Sequence, residues 1–257
     1  MPGPSDLDLI IGAVREAGTI ARRFFEGDNK VWDKGSEGPV TEADIAVDTH
    51  LRETLCSARP AYGWLSEETE DTPARLSTTR LFIVDPIDGT RAFVKGEEAW
   101  AHSVAVVENG APVAAAVYLP MMDKLYTATA TGGARLNDTS LRVAAPDGRP
   151  QVLASRPAFE ARHWPGGVPA VDRHFRTSLA YRLCLVADGS FDGMLTLRDS
   201  WEWDLAAGAL IATEAGAVVS DRTGAPLRFN SKGRMTPGVV AASSAVHDDL
   251  TTRLKET

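Results

Sequence analysis

The chain has 257 residues, 44% of them hydrophobic and 24% charged, and a formal net charge of -8. That length can bury one large core or two small ones, and the acidity argues against a nucleic-acid polymer or an anionic membrane as partner. Cys56 and Cys184 match no zinc or redox spacing, no apolar run approaches the ~18 residues of a membrane span, and Met1 to Asp6 lacks a basic stretch leading into an apolar one. A reduced, cytoplasmic protein without signal peptide or membrane segment is expected.

Leu9, Ile10, Ala13, Val14, Ala17, Ile20, Ala21, Phe24 and Phe25 recur at intervals of three and four. They predict an amphipathic helix capped by Ser5, with Asp8 three positions on. Asn29 to Gly38, which includes Lys34, is polar and glycine-bearing and reads as a mobile loop. A second helix should start after Thr41, bury Ile45, Val47, Leu51 and Leu55, and end by Pro60. Asp44 falls at the third helical position, where a capping box explains it as well as an active-site role does. Gly63 to Ser66 leads into Glu67-Glu68; adjacent side chains on extended backbone point to opposite faces, so at most one should face a shared site. The pair continues into Thr69-Glu70-Asp71, as a solvated acidic loop would.

Leu81-Phe82-Ile83-Val84 then suits a strand covered on both faces. Pro86 cannot donate to a ladder, so pairing should stop there. The turn Asp85-Pro86-Ile87-Asp88-Gly89-Thr90 sets two carboxylates three residues apart, beside a glycine free to take positive φ. Two ionised carboxylates about 4 Å apart repel by roughly 4 kcal/mol at an effective dielectric of about 20. A shared proton or a bound divalent cation would offset this, and the oxygen-only donor set favours magnesium or manganese over zinc. The same residues also suit an Asp-Pro, Asp-Gly surface turn.

Two β-rich runs joined by Asn109-Gly110 predict a hairpin over 103–118, and 124–128, 133–136 and 141–143 read as further strands. In the second half, strands are expected at 152–154, 193–197, 218–220 and 238–242, and helices at 179–187 and from Ala245 onward. Trp203 to Gly216 is an apolar, alanine-rich helix ending at glycine, buried between layers. Asp204 at its head is either an N-cap or a ligand placed where the helix dipole favours anions.

The separated carboxylates Glu67-Glu68, Asp85, Asp88, Asp204 and Asp44 all lie at strand ends or helix starts, where open α/β layers place ligands. On the motifs Glu67-Glu68, Asp85-Pro86-Ile87-Asp88-Gly89-Thr90 and Trp203-Asp204-Leu205-Ala206-Ala207-Gly208, the chain resembles the inositol monophosphatase superfamily of magnesium-dependent, lithium-sensitive phosphomonoesterases. The resemblance implies an α/β chain of the α+β type, the layered α/β/α/β/α sandwich of the sugar-phosphatase fold. It would form one catalytic unit over 1–257, with helices plus antiparallel sheet in 1–145 and a smaller α/β half in 146–257.

It further implies that Glu67, Asp85 and the carbonyl of Ile87 hold one Mg2+, that Asp85, Asp88 and Asp204 hold a second, and that Mn2+ could substitute. Thr90, linked to Asp44, would orient and help deprotonate the attacking water, Glu68 would support that water or a third metal, and the amides of Gly89 and Thr90 would hold the phosphate. In-line attack on a phosphomonoester asks for such paired charge independently. The leaving group should be read from 195–204 and from Thr177 to Arg182. In inositol monophosphatases a glutamate seven positions before the late aspartate contacts inositol; Leu197 stands there, followed by Arg198 and Asp199.

Wording around the motifs is similar to bacterial 3'(2'),5'-bisphosphate nucleotidases and histidinol-phosphate phosphatases, and a second phosphate would need cations such as Arg182, Arg198 or Lys95. The expected function is hydrolysis of a small phosphorylated metabolite, a bisphosphonucleotide or inositol monophosphate. Histidinol phosphatase and a non-catalytic metal- and phosphate-binding relative are the alternatives. Many relatives are homodimers, so a homodimer is possible.

Overall fold

The computed structural model describes residues 4–27, 29–33, 35 and 39–255. Helix α1 (Asp6–Phe25) begins as expected, with the Ser5 side chain accepting from the Asp8 amide, and it buries Ile10, Ala13, Val14, Ala17 and Ala21. The segment read as a mobile loop is partly ordered: β1 (Val31–Asp33) pairs antiparallel with β2 (Pro39–Thr41). Pairing satisfies the backbone of a run whose Val31 and Trp32 suit a strand better than a loop. Lys34 and residues 36–38 lie outside the described residues. Helix α2 (Glu42–Ala58) carries the full capping box between Thr41 and Asp44 and stops at Arg59, before Pro60.

A seven-stranded sheet follows. Its strands β3 (Gly63–Ser66), β4 (Arg80–Asp88), β5 (Ala101–Glu108), β6 (Ala111–Leu119), β7 (Lys124–Thr129), β8 (Gly133–Leu136) and β9 (Thr139–Ser140) lie side by side in chain order. β3 and β4 are parallel and the later pairs antiparallel. Asn109 (φ 51°) and Gly110 (φ 81°) form the hairpin turn. The strand expected at 141–143 does not form; Leu141 and Val143 give single amide bonds to the carbonyls of Ala134 and Ala215, so no ladder can propagate. Pairing along β4 does not end at Pro86 either. Asp85 faces Ser103 and Asp88 faces Ala101 with a bulge between them, which absorbs the missing proline donor and re-aims the side chains. Helix α3 (Thr90–Val94) starts directly after this bulge.

The second half contains β10 (Gln151–Leu153), β11 (Asp172–His174), α4 (Leu179–Ala187), β12 (Gly193–Thr196), β13 (Ser200–Trp201), α5 (Glu202–Glu214), β14 (Val218–Ser220), β15 (Met235–Thr236), β16 (Val239–Ala242) and α6 (Ser244–Leu254). A five-stranded mixed sheet orders β11-β10-β12-β16-β14, and β13 pairs β15 apart from it.

Strand periodicity builds the layers. In β4, Phe82 and Val84 pack under α1 and α2, while Leu81 and Ile83 face a second cluster that includes α4 and α5. In the five-stranded sheet, Leu153, Met194, Val239 and Ala241 face that same middle cluster. Val152, Leu195, Val240 and Ala242 turn outward to pack with Val246 and Leu250 of α6. The order is helices, sheet, helices, sheet, helix: the α/β/α/β/α sandwich that the resemblance implied.

α5 is apolar nearly all round, as a helix between two layers must be. At Gly208 a Cβ would lie 2.7 Å from the Leu183 Cβ and 3.2 Å from the Ala180 carbonyl oxygen, so α4 and α5 touch almost backbone to backbone. Gly208→Ala should therefore destabilise the fold by about 1 to 3 kcal/mol through overpacking, despite alanine's better helix propensity. Urea unfolding checks this, and an unchanged or raised midpoint would contradict so close a contact.

Candidate active site

The β4 bulge and the head of α5 bring Asp85, Asp88 and Asp204 together, each offering a carboxylate oxygen within 4.8 Å of the others. Asp85 and Asp88 are buried and Asp204 half-buried. Asp204 is not the N-cap that the sequence allowed; Trp201 occupies that position and Asp204 stands in the first turn. The Asp85 Oδ1 is buried and has no hydrogen-bond partner among the described residues. An orphaned carboxylate oxygen among further carboxylates, with only oxygen donors present, fits a hard divalent cation.

Burial, and then the charges of Glu67, Asp88, Asp204 and Asp44, push the Asp85 carboxyl well above its ordinary range. Burial, then Asp88 and Glu67, does the same to Asp204, opposed by the Arg198 charge. The Glu67 charge is among those acting on Asp85 and on Asp204. The Glu67 amide donates to the Val84 carbonyl at 3.3 Å, which anchors the acidic pair to β4; both Glu67 and Glu68 are half-buried.

For Asp88, burial is opposed by donors. Its Oδ2 accepts from Ser178 Oγ and from the Ala180 amide, both at 2.6 Å. Ser178 also caps α4, so Asp88 sits against the positive end of that helix. Arg182, one turn further along, is buried; its Nε donates to the Arg176 carbonyl and its guanidinium lies 4.5 Å from the Phe175 ring centroid. Burial lowers its pKa to about 10 while Asp88 and Asp204 act to raise it. Arg198 and Lys95 are exposed.

Thr90 Oγ1 lies 3.1 Å from the Ile87 carbonyl oxygen and 3.4 Å from Asp44 Oδ1. The other oxygen of Asp44 accepts from the Thr41 amide (2.7 Å) and hydroxyl (2.6 Å). Asp44 is therefore a cap and a Thr90 neighbour at once. Gly89 (φ 106°) lets α3 begin there, and its carbonyl accepts from the amides of Ala92 and Phe93. Behind the bulge, the buried His102 donates from Nδ1 to the Pro86 carbonyl, and burial pushes its pKa down to about 4, so it is neutral.

Sequence reading missed several supports. Ser178 directly precedes the helix expected over 179–187, but nothing local signals its bond to Asp88, which joins residues ninety apart. Arg75 gave no signal, yet it is fully buried: it forks onto Asp71 (2.6 and 3.0 Å) and reaches Asn230 Oδ1 (2.6 Å) and the Ser231 carbonyl (3.0 Å). Glu202, at the head of α5, accepts from the amides of Asn230 (2.6 Å) and Ser231 (2.8 Å). This cluster ties the chain beyond Glu68 to the helix that bears Asp204.

Because Asp85 is raised from an ordinary value of 3.8, the unfolded chain releases its proton at lower pH than the folded one. Its contribution to stability is complete below that ordinary value and is lost as pH rises through the raised one. In chelator, the Tm of Asp85→Asn minus that of the unmutated protein should grow more positive as pH rises from about 4 to about 8. Parallel Tm curves across that window would contradict the assigned repulsion.

The inositol monophosphatase family model matches residues 5–257. The chain is 40% identical over 232 residues to an inositol-1-monophosphatase of Rhizobium meliloti, covering 85% of this chain and 86% of that protein. It is 31% identical over 235 residues to the 3'(2'),5'-bisphosphate nucleotidase CysQ of Escherichia coli, covering 88% and 94%. The crystal structure of the extragenic suppressor protein suhB from Bartonella henselae superposes with a TM-score of 0.82 at 29% identity, covering 97% of this chain and 98% of that one.

Proposed function

The chain belongs to the inositol monophosphatase family, and we propose that it is a Mg2+-dependent phosphomonoesterase of small phosphorylated metabolites, acting as one catalytic unit over its length. The observation that carries this reading is the buried trio of Asp85, Asp88 and Asp204 with its orphaned Asp85 oxygen. Glu67, Asp85, Asp88, Asp204 and the Ile87 carbonyl are the residues that would hold two divalent cations, with Glu68 beside a third. Mn2+ would fit the same oxygen donors. Bound there, the cations supply positive charge to the phosphoryl oxygens and lower the pKa of water.

The protein's own groups do the rest. Thr90 Oγ1 accepts the proton side of the attacking water while turning its hydrogen toward Asp44 Oδ1, and Thr41 holds Asp44 in place from the other side. The amides of Gly89 and Thr90, where α3 begins, would bind the phosphate. Ser178 and the head of α4 keep Asp88 oriented and favour its ionised form.

For the leaving group, Leu197 packs against the outer apolar cluster and has no hydrogen bond to offer a polyol, whereas Arg182 and Arg198 place positive charge beside Asp88 and Asp204. These features favour a leaving group that is itself anionic, as in a 3'(2'),5'-bisphosphonucleotide. The 40% identity to an inositol-1-monophosphatase supports inositol monophosphate as the second candidate. A cytoplasmic location accords with two free cysteines and with the lack, among the described residues, of any helix long and apolar enough to cross a membrane. A homodimer is carried by likeness to the family alone.

The testing experiment is phosphate release with Mg2+ from adenosine 3',5'-bisphosphate, inositol 1-phosphate and histidinol phosphate. One substrate should exceed the others in kcat/KM by about a hundredfold or more. Asp88→Asn should bring its turnover to background with the circular dichroism unchanged, and lithium should lower the rate by competing for a cation position. Turnover by the Asp88→Asn variant at the unmutated rate would overturn the reading.

A further inference from the structure

Helix α2 carries two buried carboxylates one turn apart, Asp44 and Asp48, which share a face. Asp44 faces Thr90, after the β4 bulge. Asp48 faces the chain that follows β3: its Oδ1 accepts from Ser66 Oγ and its Oδ2 from Thr69 Oγ1, both at 2.5 Å. These two hydroxyls bracket Glu67-Glu68. They are themselves tied in, since Trp64 Nε1 donates to Thr69 Oγ1 at 3.2 Å and the Glu68 amide to Ser66 Oγ at 3.5 Å.

We propose that Asp48 is a positioning residue for Glu67-Glu68, and that α2 acts as a spacer which holds this acidic pair at a fixed distance from the Thr90 end of the site. A single carboxylate with two oxygens is suited to the task, because it grips both flanks of a four-residue segment at once. An apolar residue would fill the same space without fixing the segment's register, and buried polar groups are most useful where they specify one arrangement. The segment needs fixing because Glu67 must approach Asp85 and Asp204 against their mutual repulsion. The proposal rests on the reading of Glu67 as a cation ligand.

The test is Mn2+ binding to the full-length protein, read as free Mn2+ by electron paramagnetic resonance without substrate. Glu67→Gln establishes the underlying reading; if it leaves Mn2+ affinity unchanged, that reading fails and Asp48 has nothing to position. If Glu67→Gln weakens binding, Asp48→Ala should weaken it by about tenfold, the range seen when partners of metal-holding side chains are removed. Asp48→Asn should recover most of the loss, because an amide can accept from one hydroxyl and donate to the other. Thr69→Val removes one grip from the opposite side, should give an intermediate loss, and serves where Asp48→Ala does not fold. A lowered Tm with unchanged Mn2+ affinity in Asp48→Ala, or in Thr69→Val, would make the contact merely structural and overturn the proposal.

Discussion

The constraint on which this structure depends is the repulsion among Asp85, Asp88 and Asp204, carried to one point by β4 and α5, with the charge of Glu67 added to it. No single element can hold such a group together, and much of the surrounding fold reads as an answer to it. β4 is locked on both faces, by α1 and α2 on one side and by α4 and α5 on the other, so the bulge that presents Asp85 and Asp88 cannot drift. The α4 helix end attracts Asp88. Glu202 and Arg75 pin the head of α5, which keeps Asp204 from swinging outward.

This arrangement sets folding against charge. A fold that buries carboxylates is less stable at neutral pH than one with apolar residues there, and a cation that binds only the folded state returns that stability by mass action. The strain is therefore confined to a small volume whose walls are made rigid by ordinary packing. The near-contact of α4 and α5 at Gly208 belongs to those walls, since α4 grips Asp88 and α5 bears Asp204.

What was legible in the sequence was local. Ser5, the Thr41–Asp44 box and the Asn109-Gly110 turn each act within a few residues, and each formed as read. Leu81 to Val84 declared a strand buried on both faces because its apolar run does not alternate. The acidic cluster was legible only because its motifs are long. Its supports were not: the bonds of Ser178 to Asp88, Arg75 to Asn230 and Asp48 to Ser66 join residues distant in the chain, and a serine, an arginine or an aspartate at such places looks like surface. The two local misses differ in cause: 141–143 had strand propensity but found no ladder partner, whereas across 31–33 the polar, glycine-bearing surroundings hid a short run whose Val31 and Trp32 pair with β2.

The same distinction bears on substrate choice. Leu197 is turned to the outer cluster, and its carbonyl accepts from Arg222, which also pairs with Asp199 at 2.7 Å. The chain on both sides of Arg198 is thereby held from behind, and Arg198 remains as the charge that acts on Asp204 from this segment. With Arg182 buried beside Asp88, positive charge approaches the acidic cluster from both α4 and the β12–β13 connection. Arg182, the buried one of the two, gains most from a ligand that brings additional negative charge, because the attraction is strongest where water is excluded, while the exposed Arg198 adds a screened contribution. On the function proposed here, a polyol would leave that charge unused while a second phosphate would engage it. Discrimination would then arise from the charge beside the acidic cluster rather than from the shape of a sugar pocket.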